Sequence, residues 1–187
     1  MAPYASRYCW ALAVLLTVLA SLPTGSAYSE GGAQSATIEV YFGPEDLPGD
    51  RLVALYRQAK RYVYVAVYGL TYPPAVKALV SAKKRGVDVR VITDRDRLTD
   101  PKQAAAVRTL HLAGIPIRVN QHDGLMHLKQ VVVDGVVNVS GSMNHTTSGN
   151  EYNDERMDVI RDSTTTAKAH EKFVRMWNDD KRYAPWK

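Results

Sequence analysis

Residues 126–144 have the sequence MHLKQVVVDGVVNVSGSMN. Two valine-rich runs flank Asp134-Gly135, a dipeptide typical of the two-residue turn of a β-hairpin. The stretch therefore predicts a hairpin from residue 128 to residue 139, with Asp134 in its turn. Because the turn lies far from the open end of the hairpin, we interpret Asp134 as a structural residue.

Polar side chains gather at the open end of this predicted hairpin. If the valines on either side of the turn face each other, Ser142 lies opposite His127. Side chains alternate between the two faces of a strand, so Lys129 shares the face of His127. Asn144 shares that face too, provided that the second strand continues. We expect an imidazole, an ammonium, a hydroxyl and a carboxamide on one face.

These four groups suit the chemistry of a phosphodiester. Lys129 supplies a positive charge for the non-bridging oxygens, and Ser142 and Asn144 supply neutral donors. His127 can act as a nucleophile or carry a proton, because an unperturbed imidazole has a pKa of about 6.5.

Three other interpretations of the same residues stay open. His122, Asp123 and His127 could hold zinc, although their loop spacing and the adjacent ammonium disfavour this. Ser142 lacks the Gly-x-Ser-x-Gly turn of a serine hydrolase. The hairpin could also be plain scaffold with His127 as a core histidine, but that accounts only for the valines.

The spacing resembles the HKD signature of the phospholipase D superfamily. The matching residues are His127, Lys129, Asp134, Gly141, Ser142 and Asn144. The resemblance covers the chain from about Tyr41 to Trp177. It is strongest to the small single-motif bacterial endonucleases, with the mitochondrial cardiolipin hydrolases more distant. It implies an α/β catalytic domain over residues 37–187: a mixed β-sheet flanked by helices on both faces, with one HKD motif.

The resemblance also implies a role for each site residue. His127 would attack phosphorus and form a covalent phosphohistidine. Glu155, in the segment Asn153-x-Glu155, would hold the other imidazole nitrogen. Lys129 and Asn144 would bind the phosphoryl oxygens, and a supporting role would fall to Ser142 and Gly141. Neither a metal ion nor another cofactor is expected.

The presence of a single motif in the chain indicates that the active site needs two copies of the protein. The family mechanism uses two histidines, one as nucleophile and one to protonate the leaving oxygen. This chain has one such motif, and His122 and His145 lack the lysine and asparagine that would let them substitute. We therefore expect a homodimer in which two motifs meet at a twofold axis.

The rest of the chain alternates between strand and helix patterns, which favours a βαβ-type sheet. Predicted strands cover residues 37–42, 62–68, 87–93, 115–119 and 156–160. Predicted helices begin near Leu52, at Pro73 and at Pro101 after an Asp100 cap, and a closing helix covers 167–177. The tyrosines of the 62–68 strand could stack on bases, but we interpret them first as packing residues.

The first 27 residues are typical of a cleaved secretory signal. An apolar run at 11–22 precedes small residues and a cleavage site before Tyr28, and the run is too short to span a membrane. An uncleaved anchor is the alternative. Residues 28–36 read as a loose polar leader. We therefore expect a secreted or periplasmic protein.

The single cysteine, Cys9, excludes a disulfide scaffold and a cysteine-ligated zinc module.

Composition leaves three substrate classes open. The formal charge of +5 favours an anionic partner, and we expect nucleic acid, cut with little sequence preference. The alternative is phospholipid, either phosphatidylcholine or cardiolipin, although no basic amphipathic helix or apolar loop stands out to contact a membrane. A non-catalytic relative that binds nucleic acid is the third.

Overall fold

Eight strands and five α-helices form along residues 35–187, the part of the chain that the computed structural model describes. The strands are β1 (Thr37–Gly43), β2 (Tyr62–Val67), β3 (Asp88–Thr93), β4 (Ile117–Asn120), β5 (Lys129–Val133), β6 (Val137–Gly141), β7 (Glu155–Arg161) and β8 (Tyr183–Pro185). The helices are α1 (Pro48–Gln58), α2 (Pro73–Lys84), α3 (Pro101–Leu112), α4 (Thr147–Glu151) and α5 (Ser163–Trp177), with a 3₁₀ turn at Asp96–Thr99. The predicted signal and nearly all of the predicted leader lie outside the described residues.

The strands form one mixed sheet in the order β1-β7-β6-β5-β2-β3-β4-β8. The central strands β2, β3 and β4 run parallel, and the other neighbours pair antiparallel. Helices α1, α2 and α3 pack on one face of the sheet, and α5 packs on the other. The predicted mixed sheet with helices on both faces is thus confirmed. No helix in residues 35–187 is both long and apolar enough to cross a bilayer.

Strand β2 lies between two hydrophobic cores, as its nearly continuous apolar sequence predicts. Val63 and Val65 point into the core beneath α1, α2 and α3. Tyr64 and Ala66 point into the smaller core, where they meet Phe173 of α5. A strand that is buried on both faces fixes the centre of the sheet, and the strands around it take their positions from it.

The predicted hairpin forms, but its register differs by one residue. Asp134 and Gly135 adopt left-handed φ values of 54° and 74°, so the tight turn is present. Val133, however, pairs with Val137, and Val136 is left outside the ladder with 61% of its surface exposed. In the predicted register, Asn138 and Ser140 would have faced the core. The extra residue places Val137 and Val139 there instead, because burying valine is more favourable.

The edge strand β1 exposes its apolar face. Ile38, Val40 and Phe42 are 62%, 41% and 50% exposed. The alternating polar residue Glu39 turns inward, where its carboxylate accepts hydrogen bonds from Arg51 at 3.0 Å and from Arg161. Alternation in the sequence predicted the strand, but it did not reveal that its exposed face is the apolar one.

Candidate active site

The candidate site lies where the open end of the β5–β6 hairpin meets the carboxyl ends of the parallel strands. Lys129, the first residue of β5, pairs with Val67, the last residue of β2. The chain continues from β2 through Tyr68 and Gly69. Ligands of open α/β sheets bind at the carboxyl ends of the parallel strands, so the fold alone points to this edge.

His127 and Lys129 are brought together in this position. The His127 side chain is exposed, whereas Lys129 is only 8% exposed. The Lys129 Nζ atom lies 3.0 Å from His127 Nδ1, 3.1 Å from its Nε2 and 2.9 Å from its carbonyl oxygen. Burial lowers the pKa of the Lys129 ammonium, and the nearby Glu155 carboxylate opposes this shift. An exposed imidazole thus stands beside a partly desolvated cation.

Tyr68 forms a wall of the site, so its interpretation as a packing residue, made together with Tyr62 and Tyr64, was wrong for this tyrosine. Its ring centre lies 4.8 Å from that of His127 and 5.3 Å from Lys129 Nζ. Tyr62 and Tyr64, by contrast, stack on each other beneath α5 and serve in packing, as predicted. The signal that separates Tyr68 from the other two is its position, one residue beyond the end of β2.

Asn144 reaches the site from a loop rather than from a continued strand. β6 ends at Gly141, so the predicted alternation does not extend to Ser142 and Asn144. The Gly69 N–H donates to Asn144 Oδ1 at 3.1 Å, which ties Asn144 to the residue after Tyr68. A Cβ atom at Gly69 would lie 3.3 Å from Asn144 Cβ. A glycine there permits this close approach.

Ser142 and Glu155 form a second polar pair. The Ser142 hydroxyl donates to the Glu155 carboxylate and accepts from the Arg156 N–H at 3.1 Å. Asn153 Nδ2 donates to the same carboxylate at 3.4 Å. Within residues 35–187, the side-chain hydrogen bonds of Glu155 go to these neighbours, and none goes to His127. Its predicted contact with the imidazole therefore stays a prediction.

Gly141 permits the close contact between β6 and β7 beside this pair. Its φ is 150°, and a Cβ atom would lie 2.1 Å from the carbonyl oxygen of Arg156. Any side chain at this position would push β6 away from β7. The glycine of the motif is thus required by the backbone, directly before Ser142.

Asp94 holds the segment that delivers His127, and sequence reasoning did not identify it. The side chain is fully buried at the end of β3. One carboxylate oxygen accepts from the Asp96 N–H at 2.9 Å and the other from the Met126 N–H at 2.7 Å. Met126 directly precedes His127 and is itself buried. The position of an aspartate directly after a buried strand is the feature of the sequence that could have indicated this role.

His145 supports the loop that carries Asn144. It is buried, its N–H donates to the Gly69 carbonyl oxygen at 2.9 Å, and its own carbonyl oxygen accepts from Thr71 and Tyr72. Its Nδ1 lies 3.5 Å from the Tyr56 hydroxyl. Burial lowers the pKa of His145 to about 3, so the ring is neutral at physiological pH.

Asp134 lies at the other end of the hairpin, in the turn. Its carboxylate accepts backbone N–H groups of Lys60 at 2.9 Å, Arg61 at 2.7 Å and Tyr62 at 2.9 Å. Burial alone would raise the pKa of Asp134, but these three donors lower it below its ordinary value. The residue attaches the turn to the start of β2.

Residues 35–187 contain no group of three or more His, Cys, Asp or Glu side chains placed to hold a metal ion. His122, Asp123 and His127, the zinc ligands considered from the sequence, do not form one. The His122 ring instead packs edge-on against Tyr183, with ring centres 5.5 Å apart.

One edge of the mixed sheet thus carries an imidazole, an ammonium and a hydroxyl–carboxylate pair, a set of groups that suits phosphodiester chemistry. Residues 52–177 match the family model described as cardiolipin synthase, PLD-like domain. The chain therefore belongs to the phospholipase D superfamily.

Curated relatives and a solved structure agree with this assignment. The mitochondrial cardiolipin hydrolase of Xenopus laevis is 36% identical over 130 residues, 69% of this chain and 60% of that protein. The phospholipase D of Rickettsia prowazekii is 26% identical over 80% of this chain and 70% of that protein. Nuc, a phospholipase D family member from Salmonella typhimurium, matches with a TM-score of 0.76 and 28% identity, over 82% of this chain and 99% of that one. The chain spans less than two thirds of the length of the cardiolipin hydrolases that it matches.

Proposed function

We propose that this chain is a metal-independent phosphodiesterase in which His127 is the nucleophile. The observation that carries the proposal is the exposed His127 imidazole, 3.0 Å from the largely buried ammonium of Lys129. A nucleophile that attacks a phosphodiester must approach an anion, and a fixed cation beside it reduces the electrostatic cost of that approach.

The reaction follows in two steps. His127 attacks phosphorus, so that a P–N bond forms as the P–O bond to the leaving alcohol breaks, and the alkoxide takes a proton from a second histidine. That histidine then removes a proton from water, which attacks phosphorus and breaks the P–N bond. The products are an alcohol and a phosphomonoester. Lys129 and Asn144 stabilise the charge on the non-bridging oxygens. The family resemblance assigns the orientation of the nucleophilic imidazole to Glu155, whose carboxylate is held by Ser142 in this structure.

The second histidine is assigned to a second copy of this chain. His145 cannot supply the proton, because it is buried and its lowered pKa keeps it neutral. A homodimer joins two identical half-sites with the same surface on each protomer. Size-exclusion chromatography with light scattering tests the assembly: a dimer is expected, and an active protein that stays monomeric would overturn it.

Nucleic acid is the proposed substrate, with little sequence preference. The basic net charge of +5 supports it, as does the resemblance to small single-motif endonucleases. The cavity that Tyr68 and Asn144 line also carries Lys77, Arg97 and Lys102. Cations around a site attract a polyanion and make its binding depend strongly on salt.

Phospholipid is the second candidate, and a different observation favours it. The exposed apolar side chains of Ile38, Val40 and Phe42 lie on one face of β1, and Phe42 borders a cavity shared with Ser142 and Glu155. Such a strip could contact a lipid surface beside the site. Two relatives are named for lipid substrates, a cardiolipin hydrolase and a phospholipase D.

One experiment separates these candidates. Purified protein is incubated in excess chelator with plasmid, single-stranded DNA, RNA and phospholipid vesicles. We expect cleavage of the nucleic acids, and no cleavage by the H127N variant. Cleavage of vesicles alone would favour the lipid candidate. Cleavage abolished by chelator would overturn the metal-independent mechanism, and nucleic-acid binding without any cleavage would identify a non-catalytic relative.

A further inference from the structure

A cavity of about 760 Å³ begins at Tyr68 and Asn144 and is lined further on by residues of α2 and α3. We refer to it as the α2–α3 groove. Pockets of about 300–1,000 Å³ accommodate whole small ligands. The groove is therefore larger than the diester under attack requires, and its remaining volume lies on one side of the site.

Cations outnumber anions among the charged residues that line the α2–α3 groove. Lys77 on α2 and Lys102 in the first turn of α3 both line it, and neither has an ion-pair partner within residues 35–187. The acidic residue of the lining is Asp100. Its carboxylate caps α3 through the Lys102 N–H at 2.8 Å and pairs with Arg97 at 2.9 Å. Its charge is thus compensated within the protein, and those of the two lysines are not.

Arg97 links the groove to the site. Its guanidinium carbon lies 5.4 Å from the centre of the Tyr68 ring, which also contacts His127. The Nε atom of Arg97 is buried without a hydrogen-bond partner in the described part of the chain. Arg97 also lines the groove, so its guanidinium stands where the groove meets the Tyr68 ring.

We propose that the α2–α3 groove binds the phosphate next to the scissile one in a nucleic-acid strand. Lys77 and Lys102 contact this phosphate, and Tyr68 separates it from the phosphate that His127 attacks. The apolar side chains of Val76 and Ala106 also line the groove and offer a surface for a sugar or a base. This inference rests on the proposed nuclease function, and it identifies the side on which the strand leaves the site.

The test compares two substrates that differ in their number of phosphates. A single-stranded oligonucleotide extends into the groove, whereas bis(4-nitrophenyl) phosphate has a single phosphate and cannot. The K77A/K102A double variant is compared with wild type and with K84A. Lys84 is an exposed lysine at the end of α2, and it does not line the groove.

We expect the double variant to raise KM for the oligonucleotide by about tenfold or more, because two cations that bind its phosphate are removed. Its turnover of bis(4-nitrophenyl) phosphate should match that of wild type, and K84A should match wild type on both substrates. In the H127N background, which prevents cleavage, the salt dependence of oligonucleotide binding should weaken by about 0.7 in log–log slope for each lysine that is replaced.

The other outcomes are separable. A double variant that cleaves the oligonucleotide as K84A does would overturn the groove assignment and leave the nuclease function intact. Equal loss of activity on both substrates would also overturn it, because the lysines would then support the site itself. Wild-type protein that hydrolyses vesicles and leaves plasmid, single-stranded DNA and RNA uncut would overturn the nuclease function together with the groove.

Discussion

The two ends of the β5–β6 hairpin use the same kind of contact for different purposes. At the turn, the Asp134 carboxylate accepts three backbone N–H groups, two from the residues before β2 and one from its first residue, Tyr62. At the open end, the Asp94 carboxylate accepts two, one of them from Met126. The first contact holds a tight turn that carries no group of the candidate site. The second is followed directly by His127, whose ring is exposed.

The comparison shows how a small fold can separate stability from reactivity. A carboxylate that satisfies backbone donors stabilises whichever segment it holds. At the turn, that stabilisation is its only consequence. At the open end, the same contact also fixes the position of the proposed nucleophile, so a small displacement there is expected to reduce the rate as well as the stability.

The largest effect is expected at His127. The H127N variant should lose phosphodiester turnover by about 10³-fold or more, because the attacking group is absent. Its melting temperature should stay close to that of wild type, because the side chain is exposed. Turnover assays and thermal unfolding check both. Hydrolysis that continues unchanged would show that His127 is not the nucleophile.

The next effect sharpens the contrast between the two carboxylates. D94N keeps the shape of the side chain but offers one acceptor where two backbone donors point. We expect kcat to fall by about 10- to 100-fold with little change in KM, because His127 is displaced while the binding groups stay in place. Steady-state kinetics measure kcat and KM separately. An effect on stability alone would place Asp94 in the same structural category as Asp134.

At the turn the expectation is reversed. D134N should reduce the free energy of unfolding by about 1–2 kcal/mol, because backbone donors of the segment before β2 lose an acceptor. The folded variant should keep the kcat of wild type. The lowered pKa of Asp134 adds a pH dependence: this stabilisation is present above the unfolded-state pKa and is lost as pH falls through the folded-state pKa. Denaturant titration and kinetics on one preparation test both statements, and a kcat that falls with stability would remove the contrast.

The smallest effect concerns His145. Its folded-state pKa of about 3 lies below its ordinary value of 6.5. The unfolded chain therefore binds a proton there as pH falls below 6.5 while the folded chain does not, so stability is lost from 6.5 downward. The loss should reach about 1 kcal/mol at pH 5.5. H145Q should flatten this dependence between pH 7 and pH 5, as followed by thermal unfolding. Identical slopes in the two proteins would show that His145 titrates normally.

Much of the fold could be predicted from the sequence because its signals are local. Two examples are the run of β-branched and aromatic residues in β2 and the Asp100–Pro101 cap of α3. Each pattern predicts its element without reference to the rest of the chain, and the structure has both. The segments that sequence reasoning missed, α4 and β8, have five and three residues. Elements that short are stabilised by their neighbours and have no period of their own.

The site was predicted less completely, for a physical reason. The fixed spacing of the motif identified the residues. Strand alternation and hairpin register do not bring them together, because β6 ends at Gly141 and a loop carries Asn144 to Gly69. Tyr68 and Asp94 are 59 and 33 positions away from His127 along the chain. Their proximity depends on how the parallel strands align, and no local pattern encodes that alignment.

The pairing of β1 with β7 has a consequence for how the chain is made. Their partners, from Gly43–Glu155 to Thr37–Arg161, lie 112 to 124 positions apart. At about 5–20 residues per second, β1 leaves the ribosome roughly 6 to 25 s before its partner exists. Throughout that interval the backbone N–H and C=O groups of β1 lack their β7 partners, and pairings of such long range also close slowly. Nascent chains of this protein are therefore expected to need a holding chaperone at their leading segment, and a late, sheet-completing step should end their folding.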